Sequence, residues 1–195
     1  MGKAERRQQI LAVARDVFAR RGYHAAKVDD IVAAAGVARG TFYLYFQDKR
    51  AIFGEIVDRT IARLGIAIVR VDPRDTVRSV ADQIRENIRR IVRVLLDDRA
   101  TTKILLTDAL GVDPAFDQKL LSFYDEMSNM LERSLSDGQS LHVVRDGDVR
   151  LFSWLTMGAI KEVMFQIVQR GAAYDEEMLV EGVFTFFRQG FLRVV

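Results

Sequence analysis

The stretch GVARGTFYLYFQDK, residues 36–49, decides how the rest of the chain is read. Before it, VDDIVAAA at 28–35 has the length of one short helix, with Asp29 and Asp30 beside its positive N-terminus and Gly36 as its stop. Val37 and Ala38 continue the turn, and the spacing predicts another short helix over about 39–46. Two short helices joined by a three-residue turn containing glycine have the spacing of a helix-turn-helix. A glycine inside a helix costs about 1 kcal/mol against alanine, yet Gly40 stands where this one begins.

The four aromatics of the stretch explain that glycine. Phe42 and Phe46 are four residues apart and share a face. If they point inward, Arg39, Gly40, Tyr43 and Tyr45 lie on other faces. A helix entering the major groove brings its first turn close to phosphates, where Gly40 removes a side chain and leaves its N–H free to donate. Arg39 can reach a phosphate or a guanine edge, and Thr41 a base or a thymine methyl. Tyr43 suits a phosphate and its sugar, and Lys49, opening the next helix, adds a phosphate contact.

Working outward, Ile10, Val13, Ala14, Val17 and Phe18 form one stripe of a helix over about 5–21, which Gly22 ends. The charge is uneven. Residues 1–60 hold 11 Lys and Arg against 7 Asp and Glu, net +4, whereas residues 61–195 hold 18 against 20, net −2. A basic first quarter beside a helix-turn-helix pattern is the footprint of a nucleic-acid binder.

Here ILAVARDVFARRGY, followed by VDDIVAAAGVARGTFYLYFQDKRAIF, resembles the DNA-binding domain of the TetR family of bacterial transcriptional regulators over residues 6–53. The resemblance implies contacts at Arg39, Gly40, Thr41, Tyr43, Tyr45 and Lys49, with Lys27 at the start of the second helix. There are three departures. The family places Thr or Ser where Lys27 stands and Ser where Ala38 stands; neither residue here can accept a capping hydrogen bond, at a local cost of roughly 1–2 kcal/mol. Val32 replaces a small alanine. The expected consequence is a reading head that is mobile when free and ordered by DNA.

The remainder predicts an all-α chain. Breakers are few, and helices are expected over about 48–69, 73–97, 100–110, 115–136, 147–170 and 175–193. The expected division is a helix-turn-helix domain at 1–48 and a larger helical domain for ligand binding and dimerisation at 49–195. The last two helices are apolar on more than one face, which implies a core on one side and a partner on the other. Trp154, Met157, Gly158, Phe184, Phe187 and Phe191 are the expected dimer interface, which would place two reading heads on the half-sites of a palindromic operator, about 34–36 Å apart. The family also commonly binds a small molecule in this second domain. Phe116, Phe123, Tyr124 and Met127, with Trp154 and Phe165 opposite, are the candidate walls of a pocket for an apolar or amphipathic inducer.

Other chemistries find little support. There is no cysteine, which excludes disulfides and thiolate metal sites and fits a reducing compartment. His24 and His142 are the only histidines, and neither has a Glu three residues before it, so the carboxylate-bridged di-metal pattern of helical bundles is absent. No phosphate-cradling glycine loop occurs, so no enzyme, metal site or cofactor is expected. Uncharged runs such as LFSWLTMGAI are too short to cross a bilayer, so no membrane segment is expected and the cytoplasm is the expected location. The resulting reading is a ligand-released repressor. The alternatives are an activator of the same fold, or a helical ligand-binding protein that has lost DNA binding.

Overall fold

The structure, a computed structural model, describes residues 2–107 and 114–193. These form α1 (Lys3–Arg21), α2 (Val28–Ala35), α3 (Arg39–Tyr43), α4 (Lys49–Ala67), α5 (Val80–Asp97), α6 (Arg99–Thr107), α7 (Pro114–Ser140), α8 (Val149–Val168) and α9 (Glu176–Gly190). Most of the break expected between the helices at 100–110 and 115–136 lies outside the described residues. Extended pairing among the described residues is limited to one antiparallel bridge, Val144 with Leu192. The chain is all-α, as its periodicity implies.

Three boundaries differ from expectation for local reasons. α3 stops after Tyr43, because the Tyr45 N–H reaches back to the Phe42 carbonyl at 3.0 Å in a tightened last turn. α5 starts at Val80 and not at Pro73. Ser79 Oγ accepts from the Asp82 N–H at 3.1 Å and donates to the Asp82 carboxylate at 2.6 Å, a reciprocal cap. Residues 68–79 are therefore a connection, turned by Asp72 and Asp75 accepting from the N–H groups of Arg74, Val77 and Arg78. α7 runs through Gly138 to Ser140. Gly138 does not end the helix; a Cβ there would stand 2.6 Å from Val144 Cγ2, so the glycine admits the 141–144 segment.

The residues pack as two compact units, Met1–Ala62 with Asp98–Leu120, and Arg63–Asp97 with Leu121–Val195. The division is thus not a single cut after residue 48: α4 and α7 each pass from one unit into the other. In the first unit, α1 packs on α2 and on α6. Its core is Ile10, Ala14, Val17 and Phe18 with Ile31, Phe42, Phe46, Ile52 and Phe53, all buried. Phe53 sits edge-on to Phe18, ring centroids 5.2 Å apart. Each fully buried side chain of this size contributes roughly 1.5–3 kcal/mol.

In the second unit α5 lies along α9, and Arg85, Arg89 and Arg93, one turn apart, pair with Glu181, Glu177 and Glu176. α8 is long and apolar enough to span a bilayer by length and composition, which the sequence reading did not expect. It carries Arg150, Lys161 and Glu162, and it buries Phe152, Ser153, Thr156, Met164 and Ile167 within its own unit.

Candidate nucleic-acid interface and ligand cavity

The head is built by burying one face of α3. Phe42 and Phe46 are buried, rings 5.8 Å apart, which turns Arg39, Gly40, Tyr43 and Leu44 to solvent. Thr41 and Tyr45 are half-buried on the flanks, and Lys27 is exposed. Leu44, 76% exposed, was not anticipated; it stands two residues from both Phe42 and Phe46 and so on the opposite side of the turn. Gly36 has φ 63°, a conformation glycine adopts without strain. Gly40 has no positive φ, and beyond its own helix and chain neighbours nothing lies within 4 Å of where its Cβ would stand. The protein's own packing does not require that glycine, so its bareness leaves room for something outside the chain.

Electrostatics tie this face together. Arg39 pairs with Asp29 at 2.9 Å, linking α3 to the first turn of α2. A hydrogen bond to the Tyr43 side chain, and then the charge of Asp29, hold the Arg39 guanidinium above its usual value. Neither Lys27 nor Ala38 supplies a side-chain cap. The Lys27 N–H instead donates to Asp30 at 2.9 Å, the return half of a capping box.

Lys49, expected at a phosphate, is engaged by the chain's own backbone. Its ammonium donates to the carbonyls of Tyr23 at 2.8 Å, Ala26 at 3.0 Å and His24 at 3.4 Å, and lies 4.3 Å from the centre of the Tyr23 ring. All three of its donors are occupied by backbone, and burial pulls its pKa down. The residue fastens the start of α4 to the α1–α2 connection. A matching brace joins α1 to α4. Arg7 donates to Glu55 at 2.6 Å and covers the Phe46 ring at 4.8 Å, while Arg59 reaches the same carboxylate at 2.7 Å. Hydrogen bonding from Arg7 holds the Glu55 carboxyl below its usual value.

The second unit contains a cavity of about 600 Å³, within the range of small-molecule sites. Ile84, Ile88 and Ile91 of α5, Leu131 and Leu135 of α7, Ile160 of α8, Phe187 of α9 and Phe191 just beyond it give it an apolar wall. Arg70, Arg133 and Asp137 line it on the solvent side, where they are exposed. None of the expected residues Phe123, Tyr124, Met127, Trp154 and Phe165 lines it, and the side chain of Phe116 lies outside what is described. Tyr124 is four residues before Ser128, which meets Ser153 of α8 at 3.2 Å; this stretch of α7 packs on α8. The cavity opens one to three turns later, where 68–73 and 141–144 cross over α7. That crossing depends on connections, whereas the expectation rested on helical periodicity alone.

The expected interface residues divide. Phe184, Phe187 and Phe191 are buried inside the chain's own second unit, Phe184 beneath Arg85 and Phe191 stacked on Phe152 at 5.1 Å. Trp154 is 57% exposed, Gly158 is also exposed, and Met157 is half-buried. Around them lie Leu151 and Leu155 on α8, with Met178, Gly182 and Phe186 on α9, all exposed. Spacings of three, four and seven on α8, and of four and eight on α9, place each set on one helical face. Both helices are therefore apolar on two faces; α8 keeps Trp154 and Gly158 on the exposed one as expected, while on α9 the exposed face carries Met178, Gly182 and Phe186 in place of Phe184 and Phe187. Among the described residues, no group of three or more His, Asp or Glu is placed to hold a metal ion.

With this geometry in view, residues 10–56 match the profile of the tetR family of bacterial regulatory proteins. The chain is 27% identical over 191 residues to the fatty acid metabolism regulator protein of Bacillus subtilis, covering 93% of this chain and 97% of that one. Among solved structures it is similar to the fatty acid degradation regulator FadR of Bacillus halodurans, with TM-score 0.75, 25% identity and all of both chains covered. It is also similar to the transcriptional regulator FadR of Bacillus subtilis in complex with stearoyl-CoA, with TM-score 0.71 and 27% identity over 94% of this chain and 98% of that one.

Proposed function

The chain belongs to the TetR family of DNA-binding transcriptional regulators, and from that premise we propose that a dimer represses at a palindromic operator and is released by a long-chain fatty acyl thioester of coenzyme A. The carrying observation is the 600 Å³ cavity, apolar within and cationic at its solvent side. That combination suits an apolar chain bearing an anionic head. It agrees with the stearoyl-CoA complex of the Bacillus subtilis relative. Each methylene moved from water into such a wall contributes about 0.8 kcal/mol.

Arg39, Tyr43 and Leu44 are the side chains best placed for a duplex, with Thr41, Tyr45 and Lys27 flanking and Gly40 allowing close approach. Lys49 acts as scaffold. The exposed faces of α8 and α9, centred on Trp154 and Phe186, support a two-fold, four-helix interface with a second copy. The glycines 158 and 182 leave these surfaces open to close approach. As a DNA-binding regulator with a thioester ligand, it acts in the cytoplasm.

The test is operator binding followed by fluorescence anisotropy, on a duplex selected from a random pool, with stearoyl-CoA titrated in. A palindromic selected site, and an affinity that falls as the thioester is added, are the expected results. Tight stearoyl-CoA binding with unchanged operator affinity would refute the release, because a ligand shifts only an equilibrium whose states it binds unequally.

A further inference from the structure

We infer that residues 68–79 form a strap over the cavity mouth, and that Arg70 on this strap is a binding site for the anionic head of the ligand, occupied by Asp137 until the ligand displaces it. The inference rests on reading the cavity as the ligand site.

The strap is fastened unequally on its two sides. Towards α5 it is held through its backbone by two carboxamides one turn apart. Asn87 accepts from the Val69 N–H at 3.0 Å and donates to the Val69 carbonyl at 2.6 Å. Gln83 does the same for Asp72, at 2.8 Å in both directions, and donates also to the Arg78 carbonyl at 3.1 Å. Gln83 is itself buried, so breaking these bonds would strand polar groups away from water. Each amide thus does for the strap what a neighbouring strand would do in a sheet.

Towards α7, among the described residues, the polar fastening is one ion pair, Arg70 with Asp137 at 2.8 Å. Both side chains are more than half exposed, and such a pair contributes little in water. The strap therefore parts from α7 and stays with α5. Val69, Arg70, Val71 and Pro73 line the cavity on one side of this seam, and Asp137 and Arg133 on the other. Parting the seam uncovers the apolar wall and frees the guanidinium in one step.

Chemistry selects the occupant. A guanidinium is a planar fork that takes phosphate or carboxylate through two parallel hydrogen bonds. Asp137 presents a single carboxylate, a stand-in held at a weak, solvated contact. A phosphate carries more charge, and a ligand whose tail is already in the cavity presents its head at high local concentration. Arg133 at the same mouth adds a second cation. The shared chemistry is an anion at the end of an apolar chain; its source is either the phosphates of a coenzyme A thioester or the carboxylate of a free fatty acid.

The experiment measures dissociation constants by calorimetry for stearoyl-CoA, stearate and the uncharged thioester S-stearoyl-N-acetylcysteamine, on the wild-type chain, Arg70→Gln and Asp137→Asn. Arg70→Gln is expected to weaken an anionic ligand about 10-fold, or about 1.4 kcal/mol, and to leave the uncharged thioester unchanged. Asp137→Asn is expected to tighten the same anionic ligand severalfold by removing its competitor. Sensitivity confined to stearoyl-CoA assigns the site to phosphate, and sensitivity of stearate assigns it to carboxylate. Equal losses for charged and uncharged ligands, or weaker anion binding in Asp137→Asn, would overturn the inference while leaving the cavity a ligand site. Failure of every ligand to bind the wild-type chain would overturn both. Thermal unfolding of the two variants, expected close to wild type, checks that folding is intact.

Discussion

Substituting Ile160 should change the length of chain the cavity accepts. Ile88, Ile91 and Ile160 line the large cavity and also a second void of about 10 Å³ lined further by Val92, Val163, Met164 and Val183. These isoleucines are thus a partition with space on both sides. A void of that size holds about one water probe, and an apolar one stays dry. Ile160→Ala removes about three carbons from the partition and joins the two spaces. For the wild-type chain, affinity should rise by about 0.8 kcal/mol, or about fourfold, per methylene until the tail meets the wall. It should then level off. In the variant the rise should continue for about two or three further methylenes, so thioesters beyond the wild-type optimum tighten by roughly 15- to 60-fold relative to the optimum. Truncation of a buried isoleucine costs about 2–5 kcal/mol of stability; Ile160 is half-buried, which places it near the low end. The assay is competitive displacement of a fluorescent acyl ligand by saturated acyl-CoA chains of about 12 to about 20 carbons, each on wild type and variant. A variant profile that keeps its optimum and changes only in overall strength refutes the partition, because only a moved wall changes the length dependence.

Four more outcomes follow from particular contacts. Asp29→Asn frees Arg39: affinity for the selected operator should rise by a few tenths to about 1 kcal/mol, since an exposed pair is being released, whereas Arg39→Ala should weaken it by about 1–3 kcal/mol. Lys49→Met should lower stability by roughly 2 kcal/mol through three abandoned carbonyls; at a temperature where the variant stays folded, an unchanged salt slope separates this from a lost phosphate contact, which would reduce the slope by about 0.9. Arg7 depresses the Glu55 pKa, so this contact stabilises the fold fully above the unfolded carboxylate value and is lost as pH falls through the folded one; thermal midpoints should drop with pH below about 4.3 in wild type and less steeply in Glu55→Gln. Phe186→Asp places a charge on the exposed α9 face and should convert a dimer to a monomer in analytical ultracentrifugation; an unchanged mass would remove this face as the interface.

What could be read in advance divides along local and non-local lines. α2 was legible to the residue, since its acidic first turn and Gly36 are written within ten positions. The burial of Phe42 and Phe46 followed from their spacing, and with it the outward set Arg39, Gly40 and Tyr43. The partners of Lys49 were not legible because they are three carbonyls about 25 residues away, and carbonyls leave no mark in a sequence. The second domain failed differently. A helix apolar on two faces announces two burials but not which face meets which surface. Phe184, Phe187 and Phe191 therefore looked as suited to a partner as to the chain's own core, and they went to the core. The cavity was misplaced for a related reason: it is bounded by residues 68–73 and 141–144, which have no period, and by a glycine at 138 whose purpose is visible only beside Val144.

The order of elements along the chain suggests how a filled cavity could be felt at the head. Residues 98–120 belong to the first compact unit, yet the chain reaches them from α5 and leaves them along α7, both of which line the cavity. Within that segment α6 packs on α1, and Asp98, which accepts from the Thr101 N–H at 3.1 Å, also meets Arg15 of α1 at 3.5 Å. Along the chain, the α6 segment is strung between α5 and α7. A 100-fold loss of operator affinity needs about 2.7 kcal/mol of differential ligand binding between the two states. At about 0.8 kcal/mol per methylene, three or four methylenes buried in one state and exposed in the other are sufficient. Short chains that bind without reaching the partition should then occupy the cavity and leave the operator complex intact, so that release has a length threshold of its own, set apart from affinity.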